Sequence, residues 1–264
     1  MKRLLSAFAP NRALSPASAA LLALGQAATL VLLWLRAPPA VLPGPREVLA
    51  ALRDLWWNQG LGRELWTSLS LSAQAVALSS AIALLLAWLT VVPFFRPLAA
   101  AASKGRFLGL VGVTFTFTLA VGGGHPLKLS LLTFGMSVFL LTAMSAEVAA
   151  VPRERFDHAR TLRLGEWGAA FEVVVLGTSD RALEVIRQNA AIGWTLLTMV
   201  EGLSRSEGGV GALLLNQHKH FHLAAVFAVQ LAILAVGLAQ DAGLGLLRRV
   251  ACPWAVLDLE RSKP

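Results

Sequence analysis

The sequence predicts an all-α membrane protein that crosses the bilayer about six times, and three observations carry that reading. The 264 residues are 56% hydrophobic and only 14% charged, whereas a soluble chain averages roughly 45–50% apolar and about 25% charged. Uncharged runs close to the roughly 20 residues that a helix needs to cross a bilayer recur along the chain. The net charge of +8 sits mostly between those runs. Anionic headgroups and the positive-inside bias explain such a distribution without nucleic acid.

The spans follow in order at approximately 17–36, 65–92, 105–124, 127–147, 184–203 and 222–245. The first contains 19 uncharged residues, Ala17 to Leu35. That is longer than a signal-peptide core, so it reads as a retained anchor rather than a cleaved leader. The alternating VTFTFT at 113–118 has a strand's period, but a lone strand leaves its backbone unsatisfied in lipid, so helix is expected there. The GGG at 122–124 before His125-Pro126 reads as the turn into the fourth span. The fifth span is the shortest uncharged run, held between Arg187 and Glu201. It crosses only if its flanking residues join the helix and Arg187 snorkels.

With the N-terminus inside, segments 1–16, about 92–106, 148–180 and 248–264 face the cytoplasm. Of the 23 Lys and Arg residues, 16 then lie on that side once Arg181 and Arg187 at the edge of the fifth span are counted with it. The inverse orientation fits worse. The single Cys252 excludes an internal disulfide.

The most polar stretch is VPRERFDHARTLRLGEW, residues 151–167, between spans four and five. Pro152 suits a first helical turn, and Gly165 suits a C-cap before a second short helix from Trp167. Phe156, Ala159, Leu162 and Arg163 recur at helical spacing and form a small apolar ridge edged by charge. Two readings stand: a solvated loop helix on the membrane face, or a knob that docks into a groove on a cytosolic partner.

This stretch resembles the cytoplasmic loop of the permease subunits of ABC importers, in particular the nitrate/sulfonate/taurine-type group. That loop carries a Glu-Ala-Ala signature, then a Gly four residues on, and later a Leu-Pro. Here Asp157 stands for the Glu, His158 for the first Ala, and Ala159 matches the second. Arg160, Thr161, Leu162 and Trp167 fall where the group commonly has the same residues. The likeness extends over nearly the whole chain, through VLPGPREVLAAL (41–52), AIGWTLLTMVEGLSRSEGGVGALL (191–214) and LLRRVACPW (246–254). Four weak matches in the right order make a specific signal. The departures are Arg163 at the Gly position, with Gly165 two residues later as a substitute, Leu176-Gly177 for Leu-Pro, Arg181 at a later Pro, and Ser70-Leu71 without the Arg that often follows.

The resemblance implies a coupling helix made by Phe156, Asp157, Ala159, Arg160, Leu162, Arg163, Gly165 and Trp167, pressed against a separate cytosolic ATPase. It also implies a homodimer in the bacterial inner membrane, a periplasmic or lipid-anchored solute-binding protein, and a small oxyanion or organic acid as the solute. The chain has no G-x-x-x-x-G-K-[ST] phosphate cradle and no nucleophile–base pairing, so neither catalysis nor a cofactor is expected of it.

A polar path through span five is suggested by Asn189, Trp194, Thr195, Thr198 and Glu201, with Gln188 beside them. Interhelical hydrogen bonding is the common alternative use of such residues, and an intramembrane acid such as Glu201 or Asp241 is a functional candidate by default. His218, His220 and His222 fan apart on a helix and have no acidic or Cys companion, so a metal is not expected. An ion-coupled carrier with inverted repeats and midplane acids, or a scaffold without transport, are the other classes this composition allows.

Overall fold

The computed structural model describes residues 15–36, 38, 42–204 and 207–254, and the expected cytoplasmic tails fall largely outside that set. Among the described residues the chain is helical throughout, with no strand. The helices are α1 (Pro16–Arg36), α2 (Pro45–Asn58), α3 (Leu61–Leu89), α4 (Arg96–Ser103), α5 (Leu110–Val121), α6 (His125–Ala149), α7 (Arg153–Thr161), α8 (Glu166–Ala170), α9 (Ser179–Leu203), α10 (Val210–Lys219) and α11 (Leu223–Ala251).

Four of these, α1, α3, α6 and α11, are long and apolar enough to cross a membrane. That property marks the chain as a membrane protein. Helix α9 is as long as α6 but carries Asp180, Arg181, Glu184, Arg187 and Glu201, and it is not among the four. The expected span 105–124 is a broken element. A 3₁₀ turn, Lys104–Phe107, meets α5 after a bend of 113°. Gly109 is extended at the break, and the 12 residues of α5 cover only about 18 Å. The alternating 113–118 segment is helical, as backbone satisfaction in lipid requires.

The core forms where α3, α6 and α9 pack, with α11 and α2 alongside. Helix α3 reaches its neighbours through a stripe of small residues, Ser68, Ser72, Ala75, Ser79, Ala83 and Ala87, each at most 1% exposed. Small side chains at this spacing let helix backbones approach closely, which is how helices associate where lipid removes the hydrophobic drive. Leu71, Leu132, Met136, Trp194, Leu197 and Val229 fill the main cluster. A second cluster of Ala83, Ala87, Ala99, Leu140, Leu141, Met144 and Ala182 lies toward the charged hairpin. Gly193 faces Met136, where a β-carbon would stand 2.8 Å from the methionine methyl.

The bundle thus has two polar ends. One, the hairpin end, carries 151–177. The other, the turn end, carries the glycine-rich turn 208–211 between α9 and α10.

Candidate functional site

The charged stretch folds as a helical hairpin outside the core. Pro152 is the N-cap of α7, which runs to Thr161. The helix closes with both bonds of a Schellman motif: the Arg163 N–H donates to the Arg160 carbonyl (2.9 Å) and the Leu164 N–H to that of Ala159 (3.3 Å). The left-handed residue of the motif is Arg163, with φ 60°. The position where the resembled loop has Gly is therefore the one that needs a positive φ, and an arginine occupies it here. Gly165 does not substitute for it. It is extended (φ −65°, ψ 163°) and is the N-cap of α8, not a C-cap.

After α8 the chain continues as a π-helical turn, Phe171–Leu176, in which the Gly177 N–H donates to the Glu172 carbonyl (3.0 Å). A β-carbon at Gly177 would run into the Val173 carbonyl. This geometry accounts for Gly rather than Pro at 177, because the position needs both the N–H and the missing side chain.

The expected apolar ridge divides in two. Ala159, Ala169 and Val173 are buried together with Val151 and Phe156 packed on them, so Phe156 and Ala159 brace the hairpin internally. The physical reason is that α8 and the π turn fold back over α7 and cover that face. Leu162 remains 64% exposed, Trp167 74% and Phe171 54%. Around them, Arg160 pairs with Asp157 (3.1 Å) and Glu166 (3.1 Å). The hydrogen bonds from Arg160 hold the Glu166 carboxyl below the usual glutamate range and raise the guanidinium in turn.

At the turn end the structure builds a dense polar lock. Glu201, fully buried, accepts from the Ser68 hydroxyl (2.6 Å) and the Gly211 N–H (2.8 Å). Ser68 in turn accepts from the Val210 N–H (2.9 Å), and Glu64 accepts from the Gly209 N–H. Buried Lys128 donates to the Gly208 carbonyl (2.8 Å). Side chains from α3 and α9 thus satisfy the otherwise orphaned first amides of α10, where anionic groups also meet the positive end of the helix dipole. β-Carbons at Gly209 and Gly211 would collide with the Glu201 carboxylate and the Thr198 carbonyl. The glycines are there to let the turn close over the carboxylate.

Among the other residues expected along a path, Trp194 is buried and its indole donates to the Gln240 side chain (2.8 Å), which also accepts from Ser72 (3.2 Å). Asn189 is buried and donates to the Met136 carbonyl (3.4 Å), leaving its own oxygen without a partner. Thr195 is exposed, and Thr198 bonds back to the Thr195 carbonyl. Trp194, Thr198 and Glu201 share one stripe of α9 by their i, i+4, i+7 spacing, whereas Asn189 and Thr195 lie off it.

A cleft of about 440 Å³ between α9 and α11 is lined by Arg187, Trp194, Gln230, Gln240 and Asp241. Arg187 is bonded there to Glu184 (2.8 Å) and Asp241 (3.1 Å), and Arg248 to Glu184 (2.7 Å). His220 and His222 stack at 5.9 Å.

Sequence reasoning missed Glu64, Ser68, Lys128 and Gln240. Only Lys128 carried a local signal, as the one charge between Arg106 and Glu147; the others sit beside further polar residues.

No family model matches the chain, and no curated protein matches it.

Proposed function

We propose that the chain is the membrane-spanning permease subunit of an ABC importer, coupled to a separate cytosolic ATPase through the 151–177 hairpin. The observation that carries this reading is the hairpin's division of labour. Its inner face is packed on itself through Phe156, Ala159, Ala169 and Val173, while Leu162 and Trp167 stand exposed outside the bundle. A braced element with exposed apolar side chains can transmit a displacement from a partner, and a loose loop would absorb it. Asp157, Arg160, Arg163 and Gly165 shape that surface.

The chain works as a homodimer with two ATPases and an external solute-binding protein, in a bacterial inner membrane with both termini cytoplasmic. The six-span topology counts α9 and the broken 93–121 segment as spans, which moves Lys104 and Arg106 from the expected cytoplasmic segment 92–106 into the third span. The solute is a small oxyanion or organic acid. The exposed Thr195 and Gln188 support a path that runs between two copies of the chain.

The test is co-purification of the tagged protein from its native membranes, with mass spectrometry of what accompanies it. A stoichiometric ATPase that is lost with Leu162→Asp is expected. Retention of the ATPase by Leu162→Asp combined with Trp167→Asp would rule out the hairpin as the docking element.

A further inference from the structure

The bend between α4 and α5 places a non-helical piece of backbone deep within the bundle's thickness. Gly105 lies against α6, where a β-carbon would stand 3.0 Å from Val138 and 3.6 Å from the Phe134 ring. Val138 is 13 residues from His125 and 11 from Ala149 in α6, which puts Gly105 roughly 16 to 20 Å from either end of that helix. Helix α6 is itself long and apolar enough to cross a membrane. Over Lys104–Phe107 the chain is a 3₁₀ turn, and Leu108 and Gly109 are extended, so the helical ladder is interrupted here.

Irregular backbone at membrane depth is tolerated where protein buries it or where it lines water, and not where it faces lipid. Within a single chain protein does not bury this one: Lys104, Arg106, Phe107, Leu108 and Gly109 are all exposed. The charges point the same way. Among the described residues neither Lys104 nor Arg106 has a carboxylate within ion-pair distance, and residues 65–146 contain no Asp or Glu at all. Arg106 has only the Phe107 ring beneath it, at 5.0 Å. A lysine or arginine stem reaches roughly 6 Å, too little to carry both charges out to the ends of α6. Two unneutralised cations facing lipid at that depth carry a large desolvation cost, which water or an anion removes.

We infer that the break between α4 and α5 lines a water-filled cavity within the membrane thickness, and that Lys104 and Arg106 form a subsite there for a small anion. Low-dielectric walls around a single sign of charge focus the field, so the break concentrates anions from the adjoining water. The use of the subsite in transport rests on the permease reading. The cavity and its charge do not, and their test needs no ATPase.

The test places a thiol at Leu108, which is 56% exposed, in a chain carrying Cys252→Ser. Both cations stay intact in Leu108→Cys. In sealed membranes the thiol is challenged with impermeant anionic (sulfonate) and cationic (trimethylammonium) methanethiosulfonates, each rate being normalised to its rate on free cysteine. The expected result is labelling by both, with the anionic reagent favoured about fivefold, and loss of that preference in Lys104→Gln/Arg106→Gln. Thiols that react only after the protein is unfolded would show lipid covering the break and overturn the cavity. Labelling without an anionic preference would overturn the subsite. Co-purification of an ATPase is a separate result, so either idea can fail alone.

Discussion

The two polar ends of the bundle are built in opposite ways. At the turn end, Glu201, Ser68 and Lys128 are buried, and their hydrogen bonds join residues 80 to 142 positions apart in the chain, apart from the local Glu201–Gly211 bond. At the hairpin end, the ion pairs of Arg160 are local and exposed, and apolar side chains face outward. Buried, mutually satisfied polar groups make one arrangement costly to leave. Exposed pairs contribute little to stability, so the ion pairs of Arg160 do little to hold the hairpin in place. The turn end fixes the ends of α3, α6, α9 and α10 relative to one another, and the hairpin end leaves Leu162 and Trp167 exposed, the surface on which the proposed ATPase docking rests.

The strongest way to break this contrast is at the turn. Gly211→Ala forces a β-carbon onto the Thr198 carbonyl, and Glu201→Ala strands the Ser68 hydroxyl and the Gly211 amide. Each is expected to lower stability by about 3 kcal/mol, read as a drop in the melting temperature of the detergent-solubilised protein.

Leu162→Asp should have the reverse profile. Its effect on melting stays within about 0.5 kcal/mol, as for an ordinary surface change, while partner binding is lost. Phe156→Ala sharpens the same distinction, because it removes an internal brace and should loosen the hairpin to proteolysis before it affects binding.

A smaller effect is expected from Arg163→Gly. It relieves a left-handed arginine and should stabilise the hairpin by about 1 kcal/mol, seen as slower amide exchange over 153–164.

The smallest effect concerns pH. Glu166 has its pKa lowered by Arg160 from a reference of 4.5. Its contribution is therefore present above that value and is lost as pH falls through the lower folded-state pKa. Trp167 fluorescence should report a transition below pH 4.5 that Glu166→Gln abolishes.

The long apolar helices were legible because hydropathy over some 20 residues is a strong signal. α1, α3, α6 and α11 lie close to their expected limits, and the helix at 153–161 was placed by Pro152. The break before α5 was not legible, because Lys104 and Arg106 around Gly105 read as the edge of a cytoplasmic loop and Gly109 sits in the uncharged run 107–124, which reads as one continuous helix. The fold-back of α8 over Phe156 and Ala159 was invisible too, since helical periodicity shows an apolar face without showing what covers it. The turn-end lock depends mostly on contacts between residues 80 to 145 positions apart, beyond any local pattern. Only Glu201, and the 191–214 stretch that contains the turn, stand out in the sequence.

The proposed docking of an ATPase on the exposed hairpin surface can be read with a photo-reactive amino acid in place of Trp167, activated in native membranes. One dominant adduct is expected, to a polypeptide that carries a phosphate-cradle motif, and it should disappear when Leu162→Asp is added. Adducts to lipid alone, or an ATPase adduct undiminished by Leu162→Asp, would contradict that docking.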